Sequence, residues 1–335
     1  MSYEVVLQNQ YYLREVVESI SLKDSLEQIS YQGTIGLSIP ASFPGIEPGQ
    51  EIRISGVPFK GDRSSAGGQA GGGGMVPLLH PGVVWDCSST LKQTKHMTVT
   101  VYDRTIYLAK SEDEYLFPAG GTAAQRLKKY AADWGIPLDA VPDTKTKLKK
   151  AVYRPQTLYN MILSDLKETV KAGGEMYVPR MTPAGLTLFK IGSNTGVWKL
   201  EQLEEATQNR TLEGAVTRVK VIGSEDRGDS APSKVLAVAS GETAKYGVLQ
   251  RIMQDENVKT AGAAKKFAES MLTGQAQSYT VTCIDLNTIR AGDKVNFNGL
   301  NLIVTSVSHE LGNPGHMTLE LATMDDVKRR YYLDH

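Results

Sequence analysis

The sequence predicts a mainly β protein with an α+β insertion: two related antiparallel β-barrel modules and a small α/β domain between them. Three observations predict it. Period-two alternation dominates both ends of the chain, helical periodicity is concentrated in the middle, and a stretch near the N-terminus recurs near the C-terminus.

The strand signals come first. "GTIGLSI" (33–39), "EIRISG" (51–56), "MTVTVYD" (97–103), "SYTVTCID" (278–285), "DKVNFNG" (293–299), "NLIVTSVSHE" (301–310) and "HMTLELA" (316–322) each alternate apolar and polar residues, the pattern of a half-buried strand. Turn residues separate them: "FPGIEPG" at 43–49, "NG" at 298–299 and "GNPG" at 312–315.

Helical signals occupy the middle. Thr122 and Gln125 form a capping box ahead of "AAQRLKKYAADWG", where Leu127, Ala131 and Trp134 fall on one face and Gly135 ends the run. From Pro155, "PQTLYNMILSDLKETVKAGG" places Leu158, Ile162, Leu166 and Val170 four residues apart, with Gly173 and Gly174 as the stop. The strand-like "EMYVPRM" and "GLTLFKI" follow. A second helical pair, "YGVLQRIMQDEN" and "TAGAAKKFAESMLTG", is expected over 246–274, with Ala264, Phe267, Ala268 and Met271 on one apolar face. The expected division is a first barrel over 1–120, an α/β domain over 121–192, and a second barrel over 193–335 holding that helical segment.

The repeat aligns "IEPGQEIRISG" (46–56) with "IRAGDKVNFNG" (289–299), and "HMTVTVYD" (96–103) with "HMTLELAT" (316–323). Gly49 meets Gly292, Gly56 meets Gly299, and His96 meets His316. Gly49 and His96 lie 47 positions apart but Gly292 and His316 only 24, so the first copy carries 23 extra residues. The segment 61–82, which begins with "GDRSSAGGQAGGGG", supplies nearly all of them, and is expected to be an inserted loop whose deletion leaves the barrel folded.

Composition bounds the function. Thirty-seven basic residues balance 37 acidic ones among 335, so no net field draws the whole protein to nucleic acid or an anionic membrane. Glu4, Arg14, Glu15 and Glu18 interrupt the N-terminal region where a signal peptide needs an apolar run, and no stretch reaches the roughly 18 uncharged apolar residues of a membrane helix. A soluble protein made in the cytoplasm is expected. Cys87 and Cys283 stand far apart, giving neither a disulfide framework nor a CxxC pair.

The candidate chemical motifs do not develop into sites. The glycine stretch fits neither GxxxxGK[ST] nor GxGxxG, and strands rather than a helix follow it. His309, Glu310 and His316 resemble a zinc-protease motif only superficially, because Asn313 and Pro314 forbid the helix it needs; a hairpin that lets the two histidines approach is expected instead. Cys87 with His80 or His96 lacks an orienting third group. The basic run Lys145, Lys147, Lys149, Lys150 and Arg154 has Tyr153 alone to stack on a base. The carboxylate pairs Glu204–Glu205 and Asp325–Asp326 lie in polar, surface-like stretches. No catalytic, cofactor-binding or metal residues are therefore assigned, and no enzyme activity or cofactor is expected.

"MTVTVYDRTIYLAKSEDEYLFPAGGTAAQRLKKYAADWGIPL" (97–138), "RPQTLYNMILSDLKETVKAGGEMYVPRMTPAGLTL" (154–188) and "IRAGDKVNFNGLNLIVTSVSHELGNPGHMTLELA" (289–322) resemble the XkdQ/YqbQ-like baseplate hub proteins of contractile phage tails, a group related to late control protein D. The resemblance implies tail-tube-like barrels and a homotrimeric hub at the tip of a virion or tail-like particle, joining the sixfold tail tube protein to the threefold central spike protein. Tape measure, baseplate wedge and LysM-type tail proteins are the further partners it implies, with no membrane and no sequence-specific nucleic acid. The glycine insertion departs from that pattern. Two other classes stay open: a tail-associated peptidoglycan hydrolase, which needs two carboxylates about 5–10 Å apart, and a carbohydrate-binding β module.

Overall fold

The structure, a computed structural model, describes residues 3–40, 43, 45–58, 63–64, 74–91, 95–201, 203–223, 232–254 and 260–333. Most of the glycine stretch 61–74 therefore lies outside the described residues. The chain forms two compact units, Met1–Thr207 with Tyr279–His335, and Gln208–Ser278.

The first barrel is built from β1 (Tyr3–Leu7), β2 (Tyr11–Tyr12), β3 (Val17–Ser25), β4 (Gln32–Ile39), β5 (Glu51–Gly56), β7 (Val76–Leu91) and β8 (Lys95–Asp103), while the two-residue β6 (Arg63–Ser64) pairs outside it, with Val197 and Trp198. Its strands run in the order β3-β4-β8-β7-β5-β1-β2. The inward side chains of the alternating segments, among them Leu22, Ile35, Ile54, Val84, Val99 and Val101, are buried in one core, which is the physical reason the alternation is present.

The second barrel uses β13 (Val197–Lys199), β14 (Leu203–Thr211), β18 (Ala276–Ile284), β19 (Lys294–Phe297), β20 (Leu300–Leu311) and β21 (His316–Ala322), in the order β14-β18-β21-β20-β19-β13. Val281, Val295, Val304, Val307, Leu319 and Leu321 form its core. Asn298 and Gly299 both have positive φ, 49° and 79°, so the two-residue β19–β20 turn has the twist that suits an antiparallel hairpin.

The two barrels have the same register. In the first, Val83 and Val84 pair with Tyr102 and Val101, the ladder skips Trp85, and Asp86 to Thr90 pair with Thr100 to His96. In the second, Ile303 and Val304 pair with Ala322 and Leu321, the ladder skips Thr305, and Ser306 to Glu310 pair with Glu320 to His316. Even the bulge occupies the same place. The turns match as well. The Gly49 N–H donates to the Val84 carbonyl and the Gly292 N–H to the Val304 carbonyl, both at 2.8 Å. These glycines have φ of 92° and 90°, a conformation that other residues enter only with strain.

Between the barrels α1 (Ile106–Lys110), β9 (Glu112–Phe117), α2 (Ala123–Asp133), β10 (Ala151–Thr157), α3 (Leu158–Lys171) and the hairpin β11 (Tyr177–Thr182) to β12 (Gly185–Lys190) share a core with the C-terminal helical turns. That core includes Leu108 and Phe117, and β9 pairs with β10, so structure ahead of residue 121 belongs with the helices. The capping box forms as the sequence predicts: Gln125 N donates to Thr122 Oγ1 at 3.3 Å, and Thr122 N to Gln125 Oε1 at 2.9 Å. Trp134 departs from expectation. It sits at the helix end, 41% exposed, and its indole donates to Asp113. Inside the core, Arg126 and Asp165 pair at 2.5 Å, each side chain 2% exposed, and the hydroxyls of Tyr130 and Tyr153 donate to the same carboxylate.

The unit 208–278 has its own core. β15 (Arg218–Ile222) pairs antiparallel with β16 (Val235–Ser240) and parallel with β17 (Gln250–Gln254). A short α4 (Thr243–Tyr246) and α5 (Ala261–Ser270) complete it, with Ala264, Ala268 and Met271 buried on Val219 and Val221. The expected first helix of 246–274 is thus largely incorrect. Its 250–254 segment is a strand whose side chains alternate between exposed and half-buried, and the short apolar run was compatible with either period.

A second correction concerns the insertion. Residues 76–82, expected to be loop, are the first half of β7: Val76, Pro77 and Leu79 pair with Gly56, Ser55 and Ile54, and Leu78 and Leu79 are buried. The added residues thus include strand that extends the β5–β7 pairing. Deleting 61–82 therefore removes part of the core and is expected to abolish cooperative unfolding of the barrel. Leu79→Ala alone is expected to lower the unfolding free energy by about 2–5 kcal/mol in denaturant titrations.

Candidate functional site

The barrels meet where β3 of the first pairs with β20 of the second, antiparallel from Ser25 opposite Ser306 to Ile20 opposite Leu311. This pairing fuses their strands into one sheet. It also carries two buried carboxylates and two cations to a single junction.

Asp24 projects from β3 and is 6% exposed. Its carboxylate accepts from Nε of Arg290, and from the Ala291 N–H at 3.2 Å. The Arg290 guanidinium lies 3.7 Å from the centre of the Tyr31 ring, so the cation is held by a charge on one side and an aromatic face on the other. Arg180 reaches in from β11. It donates to the Ala291 carbonyl at 2.7 Å and to Asp293 at 3.1 Å, and stacks 3.8 Å over Phe189. Asp293 closes its turn by accepting from the Arg290 N–H at 2.9 Å. Three parts of the chain are thereby locked together: β3, the β11–β12 hairpin and the turn ahead of β19.

Burial and charge oppose each other here. Burial works against the Arg290 charge, but Asp24 and Tyr31 outweigh it and raise its pKa; burial lowers that of Arg180 and raises that of Asp293 despite their pairing. Asp103, at the end of β8, accepts from the Thr105 N–H at 3.0 Å and from the Thr105 hydroxyl. Burial lifts its pKa to about 6, against the pull of Arg290 and of its own hydrogen bonds.

The two repeat anchors make the same contact in both barrels. His96 Nδ1 lies 3.2 Å from Glu18, and His316 Nδ1 lies 2.6 Å from Glu204. Glu18 and Glu204 are thus equivalent positions on β3 and β14. The histidines of the β20–β21 hairpin do not converge, contrary to expectation. His309 is fully buried, its Nδ1 2.6 Å from Asp285 and its Nε2 2.9 Å from the Ile289 carbonyl, whereas His316 is on the exposed face with Glu204. Alternation along the strand separates them.

The remaining motifs are placed as follows. Cys87 is half-buried on β7, its thiol pKa raised by burial and by Asp86; burial pushes Cys283 up to about 12. The Tyr153 hydroxyl donates to Asp165 at 2.5 Å and its ring meets Phe117, so this tyrosine does not serve as a free stacking platform for the basic run. Asp326 accepts from Thr323 as part of a helix cap. A cleft of about 500 Å³ lies between Glu51, Arg104, Tyr107, Trp134 and Met181. Among the described residues, Glu51 is the one carboxylate lining it, and it pairs with Arg104 at 3.7 Å. Among the described residues, no cluster of three or more His, Cys, Asp or Glu has the geometry to hold a metal ion.

The junction residues Asp24, Tyr31, Arg180 and Arg290 escaped the sequence reading. Arg290 and Asp293 stood in the aligned repeat opposite Glu47 and Gln50, and that loss of matching charge was the available signal. Nothing local marks Asp24 as its partner.

A model of the family described as YQBQ-like matches residues 78–322. No curated protein sequence is significantly similar to the chain. Among solved structures, the 43 kDa tail protein of prophage MuSo2 from Shewanella oneidensis superposes with a TM-score of 0.69 at 12% identity, covering 97% of this chain and 98% of that one. A tail protein from Neisseria meningitidis gives 0.63 at 12% identity, covering 97% of each chain. A prophage tail protein from Listeria monocytogenes gives 0.58 at 13% identity, covering 99% and 98%.

Two outcomes test the junction. Arg290→Met leaves Asp24 buried without its cation and is expected to cost about 3–5 kcal/mol of unfolding free energy. Adding Asp24→Asn is expected to recover part of that loss, as read from a double-mutant cycle. The second concerns Asp103. Its folded pKa exceeds the unfolded value of 3.8, so the folded state binds the proton more tightly and stability falls as pH rises from about 4 to 6. The expected loss is about 3 kcal/mol from this group. Asp103→Asn is expected to remove that component of the pH dependence of chemical denaturation.

Proposed function

The chain belongs to the YQBQ-like family, and from that premise we propose that it is a non-enzymatic structural hub of a contractile phage tail or tail-like particle. In this reading three copies form a ring at the tail tip, and the ring joins the sixfold tail tube to the threefold central spike. The tape measure and the baseplate wedge or LysM-type tail proteins are its further neighbours.

The observation that carries the proposal is the identical register of the two barrels, bulge included. Three chains with two near-equivalent barrels each supply six similar modules, so one face of the ring fits a sixfold partner while the ring itself keeps threefold symmetry. The barrels of the flanking segments 1–120 and 193–335 form the ring, and the α/β part centred on 121–192 stands at its periphery. The Shewanella, Neisseria and Listeria structures that share the fold are all described as tail proteins, which supports a place in a tail.

Sedimentation of the purified protein at high concentration, with electron microscopy of the same sample, tests the reading. Expected are particles of three chains with six similar barrel lobes around a central opening. Monomers that fail to join tube and spike when all three proteins are mixed would overturn it.

A further inference from the structure

The cleft of about 500 Å³ beside the Gly49 turn shares no residue with the junction of Asp24, Tyr31, Arg180 and Arg290. Its floor is apolar, with Leu158 and Met181 buried there. Its rim is aromatic. Tyr107, from α1, is 46% exposed, and Trp134, at the end of α2, is 41% exposed. Both rings are held in place: Trp85 meets Tyr107 with ring centres 6.0 Å and planes 68° apart, and the Trp134 indole N–H donates to Asp113 at 3.3 Å. Large amphipathic rings that a fold fixes yet leaves in water offer contact area at little entropic cost.

The polar part of the cleft is a loose charge pair. Glu51 and Arg104 face each other at 3.7 Å, too far for a hydrogen bond, and both are partly exposed. They attract each other but keep an acceptor and donors for a third group. The duplicated barrel shows that the framework does not require these side chains. Lys294 aligns with Glu51, and the bulge residue corresponding to Trp85 is Thr305, which is buried and donates to the Glu320 carbonyl at 3.1 Å. In the first barrel the same two positions carry the acid of the cleft and the ring that braces Tyr107.

This combination selects a ligand class. A pyranose has an apolar C–H face for the rings, and each of its hydroxyls both donates and accepts, so neighbouring hydroxyls satisfy Glu51 and Arg104 together. A proline-rich segment also docks on aromatic rims, but its prolines have no N–H and leave Glu51 without a donor. A phosphate attracted by Arg104 would be repelled by Glu51. We propose that this cleft binds a neutral pyranose unit of an oligosaccharide, with the sugar ring against Tyr107 and Trp134 and adjacent hydroxyls bridging Glu51 and Arg104. Glycosidic cleavage commonly uses two carboxylates about 5–10 Å apart. Among the described residues one carboxylate lines the cleft, so the assigned role is binding. The assignment goes beyond the hub reading and does not rest on it.

The test uses the full chain and three neutral tetrasaccharides, chitotetraose, cellotetraose and maltotetraose, followed by calorimetry and tryptophan fluorescence. At least one is expected to bind with a Kd at or below about 1 mM and to change the emission. Trp134→Ala and Tyr107→Ala are each expected to weaken that binding about tenfold, and Glu51→Gln about fivefold. Glu51 pairs at the surface, so Glu51→Gln is expected to keep the wild-type denaturation midpoint and separates lost binding from lost folding. Lys294→Gln, the corresponding change in the second barrel, is expected to leave binding unchanged. No response to any of the three sugars up to about 10 mM would overturn the proposal, as would binding that the three cleft variants leave unchanged. A decaproline peptide that binds, and loses binding in Trp134→Ala, while no saccharide binds would make the cleft a peptide groove and overturn the saccharide assignment.

Discussion

The pairing of β3 with β20 is the constraint on which the rest of the described architecture depends. It turns two barrels into one continuous sheet, and it brings Asp24 to Arg290 across 266 residues of chain. Ordering so distant a contact carries a loop-closure cost that local contacts avoid. The return comes from backbone hydrogen bonds, from a charge pair shielded by Tyr31, and from Arg180, which ties the β11–β12 hairpin to the same turn. A buried ion pair is weak evidence of net stability, since apolar residues of equal volume often do as well. What this one supplies is register. A slip of one residue would turn Asp24 to the other face of β3 and leave the buried Arg290 without that carboxylate.

The duplicated barrels keep what the backbone needs and vary what the surface needs. Gly49 and Gly292 share a left-handed conformation and the same hydrogen bond, and Trp85 and Thr305 occupy the same bulge although their side chains have nothing in common. At the junction the charges differ: Arg290 corresponds to Glu47. Among the described residues, the same framework therefore has strands on both sides of β20 and on one side of the equivalent stretch of β7.

The α/β part illustrates a different economy. Its core contains Arg126 and Asp165 in direct contact, with two tyrosine hydroxyls donating to Asp165 and the Lys149 carbonyl accepting from Arg126. The C-terminal turns lock onto the same core: Tyr332, buried, donates to the Tyr177 carbonyl at 2.7 Å. The end of the chain thus seals the region that interrupts the two barrels, although the residues between them in sequence belong to the second barrel and to the unit 208–278.

Much of this was determined by the sequence alone. Period-two alternation located the barrel strands, the Thr122–Gln125 box located a helix start, and paired glycines revealed the duplication, because each is a local demand that a few neighbouring residues satisfy. Where two periods fit the same short run, as at 250–254, local pattern could not decide. Over residues 76–82 proline and glycine suggest a loop, yet pairing with the neighbouring strand holds the segment extended. The opposite fates of His309 and His316 and the partner of Asp24 were decided only by the tertiary structure. Burial and charge pairing depend on which distant strands come to lie side by side, and no local stretch of sequence contains that information.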